Sequence, residues 1–263
     1  MTVRVGVFGA GGRMGSTVCR AVVADPDLEL VGAVDPHHAG LALRDVTGAD
    51  VPGLHVGSDP SALAAAGVDV VVDFTVLDAA RRNLAWAAGS GVHAVVGTTG
   101  FTPGDHARLR AAFTTSNCLV APNFAIGAVL MMRFAELAAP WFETAEVVEL
   151  HHDSKVDAPS GTALLTVERM AAASDSWADD PTRDESLPGA RGGRGPGGIR
   201  VHSVRLRGLV AHQEVLLGTT GQSLTVRHDS YDRASFMPGV LLAVKQVGAR
   251  PGVTVGLEPL LGL

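Results

Sequence analysis

Two histidines, a lysine and a Pro-Ser-Gly-Thr turn fall within one short stretch of this 263-residue chain, Glu149-Leu150-His151-His152-Asp153-Ser154-Lys155-Val156-Asp157-Ala158-Pro159-Ser160-Gly161-Thr162-Ala163. A histidine and a lysine a few residues apart in a loop provide a proton donor and a fixed cation. A Ser-Gly-Thr turn opening a helix adds backbone N–H groups that favour an anion. The stretch therefore describes a site for a small carboxylated molecule that gains or loses a proton. His151 suits the acid role because imidazole titrates near neutral pH. Lys155 can hold a carboxylate and stabilise developing negative charge. A surface loop with unrelated histidines is the plainer alternative. A metal site would also draw on Asp153 and Asp157. Adjacent strand residues point to opposite faces, however, and no His-Glu-x-x-His or cysteine set accompanies them. The phosphate-loop pattern is not met either, for no lysine stands between Gly161 and Thr162.

A second candidate site opens the chain. Val3–Phe8 reads as a strand and runs into Gly9-Ala10-Gly11-Gly12-Arg13-Met14-Gly15. Glycines 9, 12 and 15 fit a G-x-x-G-x-x-G spacing, where the commoner G-x-G-x-x-G would need glycine in place of Met14. Either loop permits a tight turn, close approach to a pyrophosphate, and a helix N-terminus aimed at it. Asp35 ends the second predicted strand, where a carboxylate accepts hydrogen bonds from a ribose diol. The competing reading is a glycine turn that only packs a helix, with an aspartate that caps a turn. A carboxylate at Asp35 repels the 2′-phosphate of NADP, and Pro36, His37 and His38 follow it rather than an arginine. Arg13 could still reach a phosphate, so the expectation is NADH with tolerance of NADPH. Gly97-Thr98-Thr99-Gly100, Ala121-Pro122-Asn123-Phe124 and Asp73-Phe74-Thr75 fall at the carboxyl ends of predicted parallel strands, where a nicotinamide could lie.

These positions imply a scaffold. Val3–Phe8, Leu28–Val34, Val68–Asp73, Val92–Val96 and Cys118–Val120 alternate with helical stretches over 12–24, 77–88, 103–113 and 127–139, so a parallel sheet covered on both faces is expected. Thr102, Pro103 and Asp105 are the start signal of the third helix. The pattern then changes to a strand over 146–152, a helix from Ser160, and strand-like runs over 199–207, 209–217 and 223–228, which predict a mostly antiparallel sheet. A helix over 234–247 could return to pack on the first domain. The fold class is thus α/β: a Rossmann-like parallel-sheet nucleotide domain (1–123 with 234–263) and a smaller α+β substrate and oligomerisation domain (124–233). The loop 187–198, with Arg191 and Arg194 among six glycines, is too flexible to hold structure alone. A lid, an oligomer contact or a mobile loop are its open readings.

Composition narrows the function. The net charge of −6 argues against a general nucleic-acid surface. The longest apolar stretch, 124–142, is interrupted by Arg133, Glu136 and Pro140 and is too short to span a bilayer. Cys19 and Cys118 are far apart and read as buried free thiols in a reducing compartment. The opening strand lacks a secretory pattern, and a cytoplasmic protein is expected.

With the glycine loop, Gly97-Thr98-Thr99-Gly100, Ala121-Pro122-Asn123-Phe124 and the His151-His152…Lys155…Ser160-Gly161-Thr162 block in this order, the chain resembles the 4-hydroxy-tetrahydrodipicolinate reductases over essentially its full length. The resemblance implies an NAD(P)H-dependent oxidoreductase of the diaminopimelate route to lysine, acting on a cyclic imine dicarboxylate and assembled as a homotetramer through sheets of the second domain. It matches His151 to the proton donor/acceptor and Lys155 to a second proton donor. His152, Gly161 and Thr162 match contacts to the substrate carboxylates. Gly9, Ala10, Gly11, Gly12, Arg13, Met14, Asp35, Gly97, Thr98, Thr99, Ala121, Pro122, Asn123 and Phe124 match cofactor contacts. Many members carry Glu-Arg where this chain has Asp35-Pro36. Another amino-acid-pathway dehydrogenase, such as one acting on a semialdehyde, and a nucleotide-sensing regulator without turnover are the rival readings.

Overall fold

A computed structural model describes residues 2–263. The chain divides into two compact units, one running to Phe124 and resuming over Phe236–Leu263, the other Ala125–Ser235. In chain order, the first unit holds β1 (Val3–Phe8), α1 (Arg13–Ala24), β2 (Leu28–Val34), α2 (Leu43–Thr47), α3 (Ser61–Ala66), β3 (Val70–Asp73), α4 (Leu77–Gly89), β4 (His93–Val96), α5 (Pro103–Ala112) and β5 (Cys118–Val120). The second holds α6 (Ile126–Ala138), β6 (Thr144–His151), α7 (Gly161–Ala173), β7 (Gly193–Arg194), β8 (Arg200–Arg205), β9 (Ala211–Thr219) and β10 (Gln222–Ser230). The chain completes the first unit with α8 (Met237–Gln246), β11 (Val253–Val255) and α9 (Glu258–Leu261).

The first unit is a six-stranded sheet in the order β11-β5-β4-β3-β1-β2, with every pairing parallel. Its strands are apolar on both faces, as a sheet covered on both sides requires. All four residues of β3 are buried, as are Val5, Val7 and Phe8 of β1. Phe8 meets Trp86 of α4 edge to face at 5.8 Å between ring centroids. The strand order reverses between β1 and β3, and the crevice at such a reversal is where open α/β sheets bind ligands. The expected capping box forms at α5, where the Thr102 hydroxyl accepts from the Asp105 amide and the Asp105 carboxylate accepts from the Thr102 amide. Both cysteines are buried and free; burial pushes the Cys19 thiol up to about 12 and raises Cys118 as well. Among the described residues no helix is long and apolar enough to cross a membrane.

The second unit is a five-stranded sheet in the order β10-β9-β6-β8-β7. It is mostly antiparallel, as expected, but β6 and β8 run parallel. The long connection through α7 permits this, because parallel neighbours need a crossover rather than a hairpin. Ala145, Val147 and Glu149 of β6 are buried with Val201, Val215 and Leu217, while the alternate positions of β6 are more open. Helices α6 and α7 supply buried Met131, Met132, Val167 and Met170. The Gln213 amide donates to the Thr166 hydroxyl at 2.8 Å, tying β9 to α7.

The glycine-arginine loop is held by other segments. The Arg191 guanidinium donates to Glu146 of β6 at 2.7 Å and lies 3.4 Å from Asp180, while Gly193–Arg194 pair with β8. These contacts, rather than any local propensity of the glycines, hold the loop.

Candidate active site

The nucleotide-like site of the first unit is built mainly from backbone. Gly9 leaves β1 with φ +69°, a conformation that costs glycine little and side-chain-bearing residues more. Its amide donates to the Val34 carbonyl at 2.8 Å, and its carbonyl accepts from the Gly12 amide at 3.0 Å. A Cβ on Gly15 would fall 2.0 Å from the Gly9 carbonyl oxygen, so only glycine lets α1 start this close to the loop. Gly12 is the N-cap of α1 and has no side-chain cap. The leading amides of such a helix suit an anion, and Arg13 at the first helical position is exposed.

Asp35 follows β2. Its carboxylate accepts from the Gly11 amide at 2.9 Å and the His37 amide at 3.0 Å, and His38 Nδ1 lies 3.2 Å away. The loop, the acid and the histidine thus form one cluster. Asp73, at the end of β3, is a residue the sequence reading noted only by its place. It is fully buried and accepts from the Thr75 amide (2.8 Å), the Thr75 hydroxyl (2.7 Å) and the Asn83 amide group (2.8 Å). The Thr98 hydroxyl donates to the Thr75 carbonyl at 2.9 Å and lies 3.1 Å from Asp73. Thr98 is therefore committed to joining the loops after β3 and β4, whereas Thr99 is exposed. After β5, Ala121 and Phe124 are buried and Pro122 is exposed; the Phe124 ring packs 5.7 Å from that of Phe74.

The second unit's site is made of side chains. His151 is the last residue of β6 and His152 the first beyond it. His151 bonds through Nδ1 to Oε2 of Glu149, whereas exposed His152 uses its Nδ1 on the Ser154 hydroxyl at 2.8 Å. Among the described residues no group of acidic, histidine and cysteine side chains could hold a metal ion. Lys155 Nζ donates to both Asp157 oxygens, at 2.7 and 2.8 Å. Ser160 caps α7 by accepting from the Ala163 amide at 3.2 Å. Gly161 leads that helix, and a Cβ there would meet nothing within 4 Å, so the helix start is open.

Beneath this segment lies a pair that the sequence reading missed. Glu149 is 0% exposed, and Arg205, from the end of β8, donates to its two oxygens at 2.9 and 2.8 Å. The Ser160 amide adds a bond at 3.3 Å. Burial alone would raise the Glu149 carboxyl, but bonds from Arg205, Ser203 and His151 outweigh it and hold the group below the usual carboxylate range. Burial pushes the His151 imidazole below the ordinary histidine value; Glu149 pulls it up, and Lys155 and Arg205 push it down. The i, i+2 spacing of Glu149 and His151 on a strand was the available signal. Arg205 gave none, because its approach depends on the pairing of β6 with β8.

The chain matches the family models described as dihydrodipicolinate reductase, N-terminus, over residues 3–124 and dihydrodipicolinate reductase, C-terminus, over 127–261. It is 52% identical to the 4-hydroxy-tetrahydrodipicolinate reductase of Nocardia farcinica, with 100% of each chain covered. It is also 52% identical to that of Cutibacterium acnes, with 99% of each covered. A dipicolinate-bound dihydrodipicolinate reductase from Paenisporosarcina sp. TG-14 superposes with a TM-score of 0.86 at 39% identity, covering 98% of this chain and 99% of that one. A myo-inositol dehydrogenase from Corynebacterium glutamicum, at 15% identity and a TM-score of 0.59 over 96% of this chain and 90% of its own, shares the fold alone.

Proposed function

The chain belongs to the dihydrodipicolinate reductase family, and we propose that His151 is its proton donor and Lys155 its substrate cation and second proton donor. The reaction is the pyridine-nucleotide-dependent reduction of 4-hydroxy-tetrahydrodipicolinate in diaminopimelate and lysine synthesis. The substrate is a small cyclic dicarboxylate, in keeping with the dipicolinate held by the Paenisporosarcina relative.

One segment carries this reading: the end of β6 and the start of α7 bring an imidazole, an ammonium and an open helix N-terminus into twelve residues, 151–162. Reduction leaves electron density on the substrate ring, and a proton must neutralise it. His151 transfers that proton from imidazolium and remains as neutral imidazole. Lys155 is paired with Asp157 in the free protein, so a substrate carboxylate competes with Asp157 for the ammonium. Gly161 and Thr162, leading α7, hold the other carboxylate with His152 beside them.

The first unit fits a dinucleotide, since Gly15 lets α1 start close against the loop after β1 and Gly12 leaves the helix N-terminus uncapped by any side chain. A bound reduced nicotinamide supplies the hydride. Gly9 through Met14 hold the pyrophosphate, Asp35 the adenosine ribose, and Gly97, Thr98, Thr99 and Ala121 through Phe124 the nicotinamide side. Thr98 serves through its backbone, because its hydroxyl is engaged with Thr75. Asp35 and the lack of an arginine at 36–38 favour NADH, with NADPH tolerated.

Consumption of reduced nicotinamide, with substrate made in place from pyruvate and aspartate semialdehyde by the preceding synthase, tests the proposal. Turnover with both cofactors, faster with NADH, is expected. Preference for NADPH would overturn the role of Asp35, and full activity in His151→Ala would overturn that of His151. We also propose that four cytoplasmic chains assemble through the sheets of their second units, as the family resemblance implies. Light scattering at about four times the 27.0 kDa chain mass is expected, and a monomer would refute it.

A further inference from the structure

Glu149 and His151 are two residues apart on β6, and Arg205 is the register partner of His151 on β8, so all three side chains share one face of the sheet. The carboxylate of Glu149 is ionised and can only accept hydrogen bonds. Its bond to His151 Nδ1 therefore requires the hydrogen to sit on Nδ1, and Nε2 is left as the nitrogen that exchanges a proton. The same carboxylate is filled from its other sides by Arg205 and the Ser160 amide. Arg205 in turn donates Nε–H to the Lys155 carbonyl at 3.3 Å and an Nη2–H to the Asp157 carbonyl at 2.6 Å. One guanidinium thus connects the residue beneath His151 to the backbone on either side of Val156.

We propose that Glu149 and Arg205 are a buried positioning pair: Glu149 fixes His151 in its Nδ1–H form, and Arg205 sets the loop bearing Lys155 against that imidazole. The inference rests on His151 being the proton donor. When His151 gives up its Nε2 proton, the N–H bond breaks as a C–H bond forms on the substrate. The imidazole is left neutral with Nδ1–H still on Glu149, and it regains the Nε2 proton from water. Stability alone is a poor reason for such a pair, because replacing a buried ion pair with apolar residues is often neutral or stabilising. Placement is the better one, since a wrong histidine tautomer can cost roughly 10⁴-fold in turnover.

The test uses the full-length protein and three measurements. Nitrogen-15 NMR of the wild type, with His151 assigned by its loss in His151→Ala, should show the Nδ1–H tautomer; the Nε2–H tautomer would overturn the proposal without any further variant. Glu149→Gln keeps the side-chain volume, and its kcat should fall roughly 10²–10⁴-fold with KM changed by less than about threefold, the split expected when an interaction of the transition state is lost. The charged groups facing His151 are Glu149 on its own strand, Arg205 from β8 and Lys155 from the loop, with Asp157 behind Lys155; its β9 neighbour, Ala211, carries no charge. Removing the one anion in direct contact should therefore move the fall of kcat/KM with rising pH to lower pH. A purely structural role would lower thermal stability and leave that limb in place. Arg205→Lys keeps the charge but cannot reach both carboxylate oxygens and both carbonyls, so its main effect should be a rise in substrate KM of about tenfold. If Glu149→Gln keeps kcat and the pH limb while His151→Ala is impaired, the positioning role is wrong and the donor role stands. If His151→Ala is unimpaired, both fall.

Discussion

At the end of β1 the candidate site is main chain: a left-handed glycine, a carbonyl pressed against Gly15, and the leading amides of α1. At the end of β6 it is side chain: His151 on Glu149, Glu149 on Arg205, Lys155 on Asp157. The backbone site makes a shape for a ligand that many enzymes share, and its tolerance to change is set by space. On the proposed reading the side-chain site sets charge and proton position for one substrate, and its tolerance is set by electrostatics. Substitutions in the two regions should therefore fail in different ways, through cofactor affinity in the first unit and through turnover or substrate affinity in the second.

The largest effects should come from the second unit. His151→Ala and Lys155→Ala are each expected to lower kcat by roughly 10²–10⁴-fold while leaving NADH binding, read by fluorescence titration, unchanged. Equal loss of NADH affinity would erase the contrast. In the first unit, Gly15→Ala forces a Cβ onto the Gly9 carbonyl and should cost about 1–3 kcal/mol of stability. The NADH Kd should rise about tenfold, the equivalent of 1.4 kcal/mol, with kcat at saturating cofactor little altered. Asp35→Asn removes a charge that repels a 2′-phosphate, and the ratio of NADPH to NADH affinity should increase up to about tenfold. An unchanged ratio would move the origin of selectivity away from Asp35. The smallest effect sharpens the comparison from the stability side. Ser160→Ala removes the α7 cap and should cost about 1 kcal/mol, a Tm loss of about 2–4 °C by calorimetry.

The same contrast explains how much could be read from sequence. Glycine spacing, a terminal acid and the Thr102 capping box are local signals, and each maps onto one turn of structure. The parallel sheet, the mostly antiparallel second sheet, the buried thiols and the His-His-Lys block were legible for that reason. The short elements α2, α3 and β11 were not, with five, six and three residues, too few for periodicity to register, whereas the equally short β5 showed as an apolar run between helical stretches. The Glu149–Arg205 pair was hidden because it joins residues 56 apart through strand register. Asp73 was visible only as a strand end, since the Thr98 hydroxyl and the Asn83 amide group that join Thr75 on its carboxylate arrive from the loop after β4 and from α4. The contacts of loop 187–198 were hidden for a related reason, as Arg191 reaches back to Glu146 across 45 residues.

The pH dependence of kcat/KM, measured for the wild type and for His151→Ala, tests the central claim that His151 delivers the proton. The acid form of His151 is needed, so activity should fall as rising pH removes its proton. Burial holds the free-enzyme group below its ordinary 6.5, so that limb should lie below 6.5. In the complex a dianionic substrate favours the imidazolium, so the kcat limb should lie at higher pH than the kcat/KM limb. His151→Ala should keep only weak activity without this limb. A wild-type profile flat across this range, or the same limb surviving in His151→Ala, would contradict the account.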